Sequence, residues 1–126
     1  MTNSQLPDEL TRFIRSTIPS YDAAVVLLLV ARVEERAWSP PEVAERTGLS
    51  REAAENHLEH FVRTEILART TDGAYRFHPT SDSSRHAVIA LHKAYEQLPV
   101  TLIRVIYSAA DEKIRAFADS FKLKRE

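Results

Sequence analysis

The stretch from Ser39 to Thr64, SPPEVAERTGLSREAAENHLEHFVRT, decides the fold because it holds two helix starts on either side of one glycine. Ser39 is followed by two prolines and then by Glu42. A serine cap, proline in the first turn and glutamate three residues after the cap form a strong helix start. Gly48 ends this first helix, and Ser50 can cap a second helix that runs to the end of the stretch. The pattern predicts a helix-turn-helix.

A hairpin signal follows this stretch directly. Residues 66–70 and 74–78 are two short runs, and Thr71-Asp72-Gly73 lies between them. An Asp-Gly pair between two such runs is a strong hairpin signal, and Pro79 closes it. The segment from Ile66 to His78 therefore predicts a two-stranded wing.

Helical patterns lie on the N-terminal side of the motif. Residues 6–18 carry apolar side chains at helical spacing, and Pro19 stops this first helix. Ser20 can cap a second helix over about 21–36, whose first half is apolar nearly all round. A helix of that kind lies in the middle of a bundle or in a dimer core.

Further helical patterns lie on the C-terminal side. A helix is predicted from about Asp82 to Leu98, and Pro99 breaks it. Another runs over residues 100–107, and Ser108 can cap a last helix to about Phe121. We expect one mostly α domain over 1–126: N-terminal helices in 1–36, the helix-turn-helix and wing in 39–80, and C-terminal helices in 81–126.

The composition excludes several classes of site. The 126 residues are 44% hydrophobic and 28% charged, as in an ordinary soluble domain. The absence of cysteine excludes disulfides and thiolate metal sites. His57 and His60 lie three apart on one helix, but zinc would need further ligands. No phosphate loop, paired acids or nucleophile with a base is visible, so we expect no enzyme, no cofactor and no metal.

The N-terminal residues show no targeting pattern. Residues 1–10 carry no basic run followed by an apolar stretch. The longest apolar run, 23–31, is about half of what a bilayer span needs. We expect a cytoplasmic protein without a membrane partner.

The motif resembles the winged helix-turn-helix of MarR- and ArsR-type bacterial regulators. That family carries an apolar-Ala pair in the first helix and a Gly-apolar-Ser turn, which here are Val43-Ala44 and Gly48-Leu49-Ser50. The run from His57 to Leu67 matches the family's pattern leading into the wing. The resemblance implies a winged-helix fold and a DNA-binding transcriptional regulator.

The resemblance also implies which residues would touch DNA. In the family, the exposed N-terminal half of the second helix enters the major groove. The matching candidates are Ser50, Arg51 and Asn56, and the wing adds Arg69 and Arg76. Arginine suits guanine edges and asparagine suits adenine edges.

The charge of the motif favours a second interpretation. Residues 37–80 carry seven acids and five bases, a net charge of −2. Glu52, Glu55 and Glu59 share the helix that should enter a phosphate-lined groove, where cations supply most of the affinity. The alternative is a protein–protein interaction module whose acidic helix docks a partner protein. Exposed glutamates also occur on solvated helices for helix propensity alone.

The C-terminal helices are apolar on more than one face. In the resembling family, helices outside the helix-turn-helix and wing form a two-fold symmetric dimer. We therefore expect a homodimer built from the first helix and the helices after Pro99, with interface candidates Phe13, Ile103, Ile106, Tyr107, Phe117 and Phe121. The alternative is that this segment closes over residues 23–31 within one chain. Residues 113–126 carry five bases and two acids, and this basic end is a further candidate contact.

Overall fold

The computed structural model describes residues 5–124, with side chains described to Phe121. In this part of the chain, six helices and one two-stranded antiparallel sheet follow in the order α1 (Asp8–Thr17), α2 (Tyr21–Ala31), α3 (Pro40–Thr47), α4 (Arg51–Arg63), β1 (Leu67–Arg69), β2 (Tyr75–Phe77), α5 (Asp82–Gln97) and α6 (Pro99–Lys124). The fold is a mostly α winged helix-turn-helix with a hairpin wing and extra helices at both ends. This confirms the predicted fold class.

The helix α2 lies at the centre of the molecule. It contacts α3, α4, α5, α6 and β2, and its side chains from Ala23 to Val30 are buried at all but two positions. Because α2 is apolar on nearly all sides, it packs in the core of its own chain. Within residues 5–124, no single helix combines the length and hydropathy of a membrane span; only α1 and α2 taken together do, across a bend of 107°.

The helix-turn-helix is set by its caps, as predicted. The Ser39 hydroxyl accepts from the Glu42 amide at 3.3 Å, and the Glu42 carboxylate accepts from the Ser39 amide at 3.0 Å. Gly48 ends α3 with φ +79°, a left-handed conformation that a side chain disfavours. Ser50 begins α4 by accepting from the Ala53 amide at 3.0 Å. These caps fix the angle at which α4 leaves the turn.

The segment before the motif extends the wing in a way the sequence did not predict. Trp38 donates its amide to the Tyr75 carbonyl at 2.7 Å, and Tyr75 returns a bond of 2.8 Å. The Trp38 ring is 3% exposed, and the Arg36 guanidinium lies 3.5 Å from the ring centroid. Strand β2 of the hairpin is thus anchored to the segment that leads into α3.

Two predicted helix boundaries are wrong. The second helix ends at Ala31 instead of about residue 36, because Val33, Glu34 and Glu35 are exposed and bury no apolar face. The predicted break at Ser108 does not occur, and α6 runs on to Lys124. A cap needs a non-helical backbone, and no glycine or proline between 100 and 124 imposes one.

Candidate nucleic-acid interface

The buried side of α4 determines which of its residues face outward. Ala54, Leu58 and Phe61 are 0% exposed and hold the helix against the core. Four side chains on the opposite side of its first half are exposed: Arg51, Glu52, Glu55 and Asn56. The first half of α4 therefore presents a solvent-facing surface next to the wing.

Two of these side chains are free to recognise another molecule. Arg51 and Asn56 form no ion pair or hydrogen bond with the described part of the chain. Ser50 is different, because its hydroxyl oxygen already accepts from the Ala53 amide. Its hydroxyl hydrogen is left to donate at the positive end of the helix.

A polar clamp joins α4 to both strands of the wing. The Glu59 carboxylate accepts hydrogen bonds from the Tyr75 hydroxyl and from the Arg69 guanidinium. The Tyr75 hydroxyl, and then Arg69, hold the pKa of Glu59 below its usual value. Burial raises the pKa of Tyr75, which keeps its hydroxyl a proton donor. The clamp fixes the wing relative to α4.

The clamp changes the roles predicted for two residues. Glu59, with 28% of its side chain exposed, points to the wing and does not belong to a free acidic surface. Arg69 neutralises Glu59, so its guanidinium is not a free cation for phosphate. Sequence reasoning missed this because Glu59 lies 10 residues from Arg69 and 16 from Tyr75.

The other wing arginine keeps an outward position. Arg76 lies on β2 between the buried Tyr75 and Phe77, so it points to the other side of the hairpin. It pairs with Ala68 in the register of the two strands and is half-buried. Arg76 makes no ion pair with residues 5–121. It is the wing cation that the structure leaves available.

The outward surface of α4 is less acidic than its composition indicates. Once Arg69 neutralises Glu59, two free acids remain, Glu52 and Glu55. Arg63 is exposed one turn after Glu59, and it was not predicted as a site residue. Its spacing of four from Glu59 was the signal that could have found it. Arg51 and Arg63 therefore balance the two glutamates along this surface.

The predicted dimer residues fall into three groups. Ile106 is 1% exposed in the core of its own chain, so its assignment to a dimer interface is wrong. Phe13 and Ile103 are half-buried. Tyr107, Phe117 and Phe121 are each more than 60% exposed. The basic side chains after Phe121 lie outside the described residues.

The two histidines of α4 pack against the N-terminal helices. The His60 Nε2 atom lies 2.8 Å from the Thr17 carbonyl oxygen, a hydrogen bond between α4 and the end of α1. Burial lowers the pKa of His57. Among the described residues, no three histidine, aspartate or glutamate side chains are grouped to hold a metal ion.

We expect the His57 environment to make the fold less stable in mild acid. The folded state binds fewer protons at this site, so its stability is complete above the ordinary pKa of 6.5 and declines as the pH falls below it. The melting temperature should therefore drop between about pH 7.5 and about pH 5.5. His57→Gln should reduce that drop, and the exposed control His78→Gln should retain it. An equal drop in His57→Gln and the unmodified chain would contradict this assignment.

Comparison with known proteins places the fold. No family model and no curated protein matches the chain. It is similar to the structure of a protein with unknown function from Listeria innocua Clip11262, with a TM-score of 0.53 and 18% identity over 93% of this chain and 82% of that chain. A mutant of Lactococcus lactis ZitR aligns at a TM-score of 0.40 and 14% identity, over 100% of this chain and 80% of that chain. The first likeness shows a shared fold; the second is too weak to support an inference.

Proposed function

We propose that this chain is a cytoplasmic DNA-binding transcriptional regulator that acts as a dimer through its winged helix-turn-helix, without catalytic activity. The observation that carries this proposal is the exposed first half of α4, where Arg51 and Asn56 are engaged by no described residue. In winged helix-turn-helix proteins, this part of the second helix lies in the major groove. The resemblance to MarR- and ArsR-type regulators supports the same assignment.

The chemistry of the two side chains suits base recognition. Arg51 can donate two parallel hydrogen bonds to a guanine edge, and Asn56 can both donate to and accept from an adenine edge. The Glu59 clamp supports this role because it holds the wing and the helix in one arrangement before DNA arrives. Arg76 then contributes a phosphate contact from the wing.

The balanced charge of the surface sets an expected salt dependence. Besides Arg51, which is assigned to a base edge, three exposed or half-buried arginines in each subunit can approach phosphates: Arg46, Arg63 and Arg76. Each phosphate contact contributes about −0.9 to the slope of log K against log salt. A dimer that uses all of them reaches a slope of about −5, and we expect a shallower slope because Glu52 and Glu55 oppose phosphate. Fluorescence anisotropy between about 50 and about 200 mM salt measures this slope. If no genomic fragment binds even at the lower salt concentration, the DNA proposal fails.

A second candidate function is a protein-interaction module. The observation that favours it is that Glu52 and Glu55 are exposed and make no described ion pair. In this case a basic partner would dock on the first half of α4, and the charged groups would set the rate of its association.

We expect neutralisation of the two glutamates to separate the two functions. The double variant Glu52→Gln and Glu55→Gln removes two negative charges per subunit from the surface facing phosphate. DNA binding should become several-fold tighter and its salt dependence steeper. The matched control, Glu9→Gln and Glu35→Gln, removes the same charge at two exposed glutamates that lie outside α4. If the double variant loses a protein partner and leaves DNA binding unchanged, the interaction module is the correct function.

A further inference from the structure

The helix α6 carries a second apolar stripe, which its own chain leaves mostly exposed. Its inward side buries Leu102, Ile106 and Ala109. The other stripe recurs at alternating spacings of three and four residues: Val100, Ile103, Tyr107, Ala110, Ile114, Phe117 and Phe121. A period of 3.5 residues held over three heptads is the pattern of a coiled-coil seam. Five of these side chains are 62–69% exposed.

The second half of α6 has no support from its own chain beyond one ion pair among the described residues. Every residue from 111 to 121 is exposed, and the tie to α1 is Arg15 with Glu112 at 3.5 Å. A projecting helix of this length is marginal in water unless an apolar face is packed. The stacked rings of Phe117 and Phe121, 5.6 Å apart, lie in this unsupported part.

We infer that a second copy of this chain covers the stripe, and that the two α6 helices run antiparallel and cross between Ser108 and Ala109. This inference supplies the dimer on which the proposed function relies. The projecting half of each helix then lies along the body-attached half of the other. Phe117 covers Val100 of the second copy, and Ile114 covers its Ile103.

The sizes of the seam residues favour the antiparallel direction. With the crossing between Ser108 and Ala109, Tyr107 faces Ala110 of the second copy, and the same large–small pair repeats by symmetry. A shallow depression lies over Ala110 and is lined by Arg104, Tyr107, Ser108, Ala110, Asp111 and Ile114. Residues at spacings of three, four and seven form the hole that accepts a knob in a coiled coil. In a parallel pair, alanine would face alanine beside two facing tyrosines, which leaves a gap next to a crowded layer.

The charges that flank the seam favour the same direction. Arg104 and Asp111 each follow a seam residue, so they lie on one side of the stripe. In an antiparallel pair, this side of one helix faces the same side of the other helix. Arg104 of each copy therefore lies near Asp111 of the other copy, so the pair forms twice. Asp111 also pairs with Arg115 at 3.1 Å through one oxygen, and its second oxygen remains for Arg104. In a parallel pair, Lys113 on the other side of the stripe would lie against Ala118 of the second copy. These two residues form no ion pair.

The area of the stripe is adequate for a specific dimer. A buried aromatic side chain covers roughly 150–250 Å², and the stripe holds three of them, each more than 60% exposed. With the aliphatic residues, on the order of 600 Å² of apolar surface per chain is available, which reaches the ~1,000 Å² in total that a specific interface needs. A second copy of this chain can therefore cover the stripe, and no additional segment is needed to complete the interface.

Cysteine cross-linking tests both the partner and the direction. The chain has no cysteine, so each introduced cysteine is the only thiol that can form a disulfide in its chain. Val100→Cys and Phe117→Cys are made in separate chains, one of which carries a size tag. In the antiparallel pair, positions 100 and 117 of different copies meet, whereas the two copies of position 100 lie about 25 Å apart along the helix. Disulfide formation needs Cβ atoms within about 4 Å.

The expected result is a disulfide-linked heterodimer from the mixture and no linked species from either chain alone, with a dimer of the unmodified chain in sedimentation. Ile103→Cys with Ile114→Cys repeats the test at another layer, so that one damaging substitution does not decide it. Self-linking of Val100→Cys, a sedimenting monomer, or a dimer in which neither pair links would overturn the inference. The experiment contains no DNA, so its failure is distinguishable from failure of the proposed function.

Discussion

Replacing Arg51 with alanine is expected to weaken specific DNA binding by about 2–6 kcal/mol, because a dimer loses one base contact of about 1–3 kcal/mol in each half-site. This corresponds to a loss of roughly 30-fold to more than 10⁴-fold in affinity. Arg51 is exposed at the first position of α4 and makes no described ion pair, so the fold should keep its melting temperature. Fluorescence anisotropy on one selected duplex at constant salt measures the effect.

Two further variants separate base recognition from simple charge. Arg51→Lys keeps the cation and loses the planar fork, so it should retain non-specific binding and lose much of the specificity. Arg12→Ala removes an exposed cation on α1, outside the first half of α4, and should leave specific affinity nearly unchanged. Equal effects of Arg51→Ala and Arg12→Ala would show that α4 does not read bases.

Replacing Phe61 with alanine is expected to lower the free energy of unfolding by about 3–5 kcal/mol. The ring is fully buried in the last turn of α4, and the Phe61 carbonyl accepts from the Ile66 amide at 2.9 Å where the chain enters the wing. Because a domain has about 5–15 kcal/mol of stability in total, this loss is a large part of it. Chemical denaturation monitored by circular dichroism gives the value.

The graded control for this position is Phe61→Leu. It keeps much of the apolar volume and should cost less than about 1.5 kcal/mol. The difference between the two variants measures the cavity left beneath the wing. If Phe61→Ala costs no more than Phe61→Leu, the end of α4 is not packed as the structure shows.

The helix-turn-helix and the wing could be predicted because their signals are local. Ser39 and Glu42 close a capping box within four residues, Gly48 adopts its left-handed conformation, and Asp72-Gly73 turns the hairpin. Each signal depends on the residues beside it, so no tertiary information was needed. The continuous α6 shows where such reasoning fails. Ser108 and Asp111 form a local cap pattern, but the apolar faces that continue before and after it along the chain keep the backbone helical.

Which residues of the candidate site are paired within the chain could not be predicted in the same way. Arg51 and Asn56 were expected to be exposed, since they oppose the apolar stripe of α4. The pairing of Glu59 with Arg69 and Tyr75 depends on how the wing folds back on the helix, and no local pattern encodes it. Ile106 was misassigned because periodicity alone does not tell which of two apolar faces of α6 packs on its own chain.

The most direct test of the central claim is selection of binding sites by the purified chain from a pool of randomised duplex DNA at low salt. A dimer that reads DNA with α4 should enrich two-fold symmetric sequences whose half-sites lie about 10–10.5 base pairs apart, or a multiple of that. The Arg51→Ala variant should lose enrichment at positions read by that residue. If the unmodified chain enriches no sequence beyond what Arg51→Ala enriches, the winged helix does not function as a DNA reader.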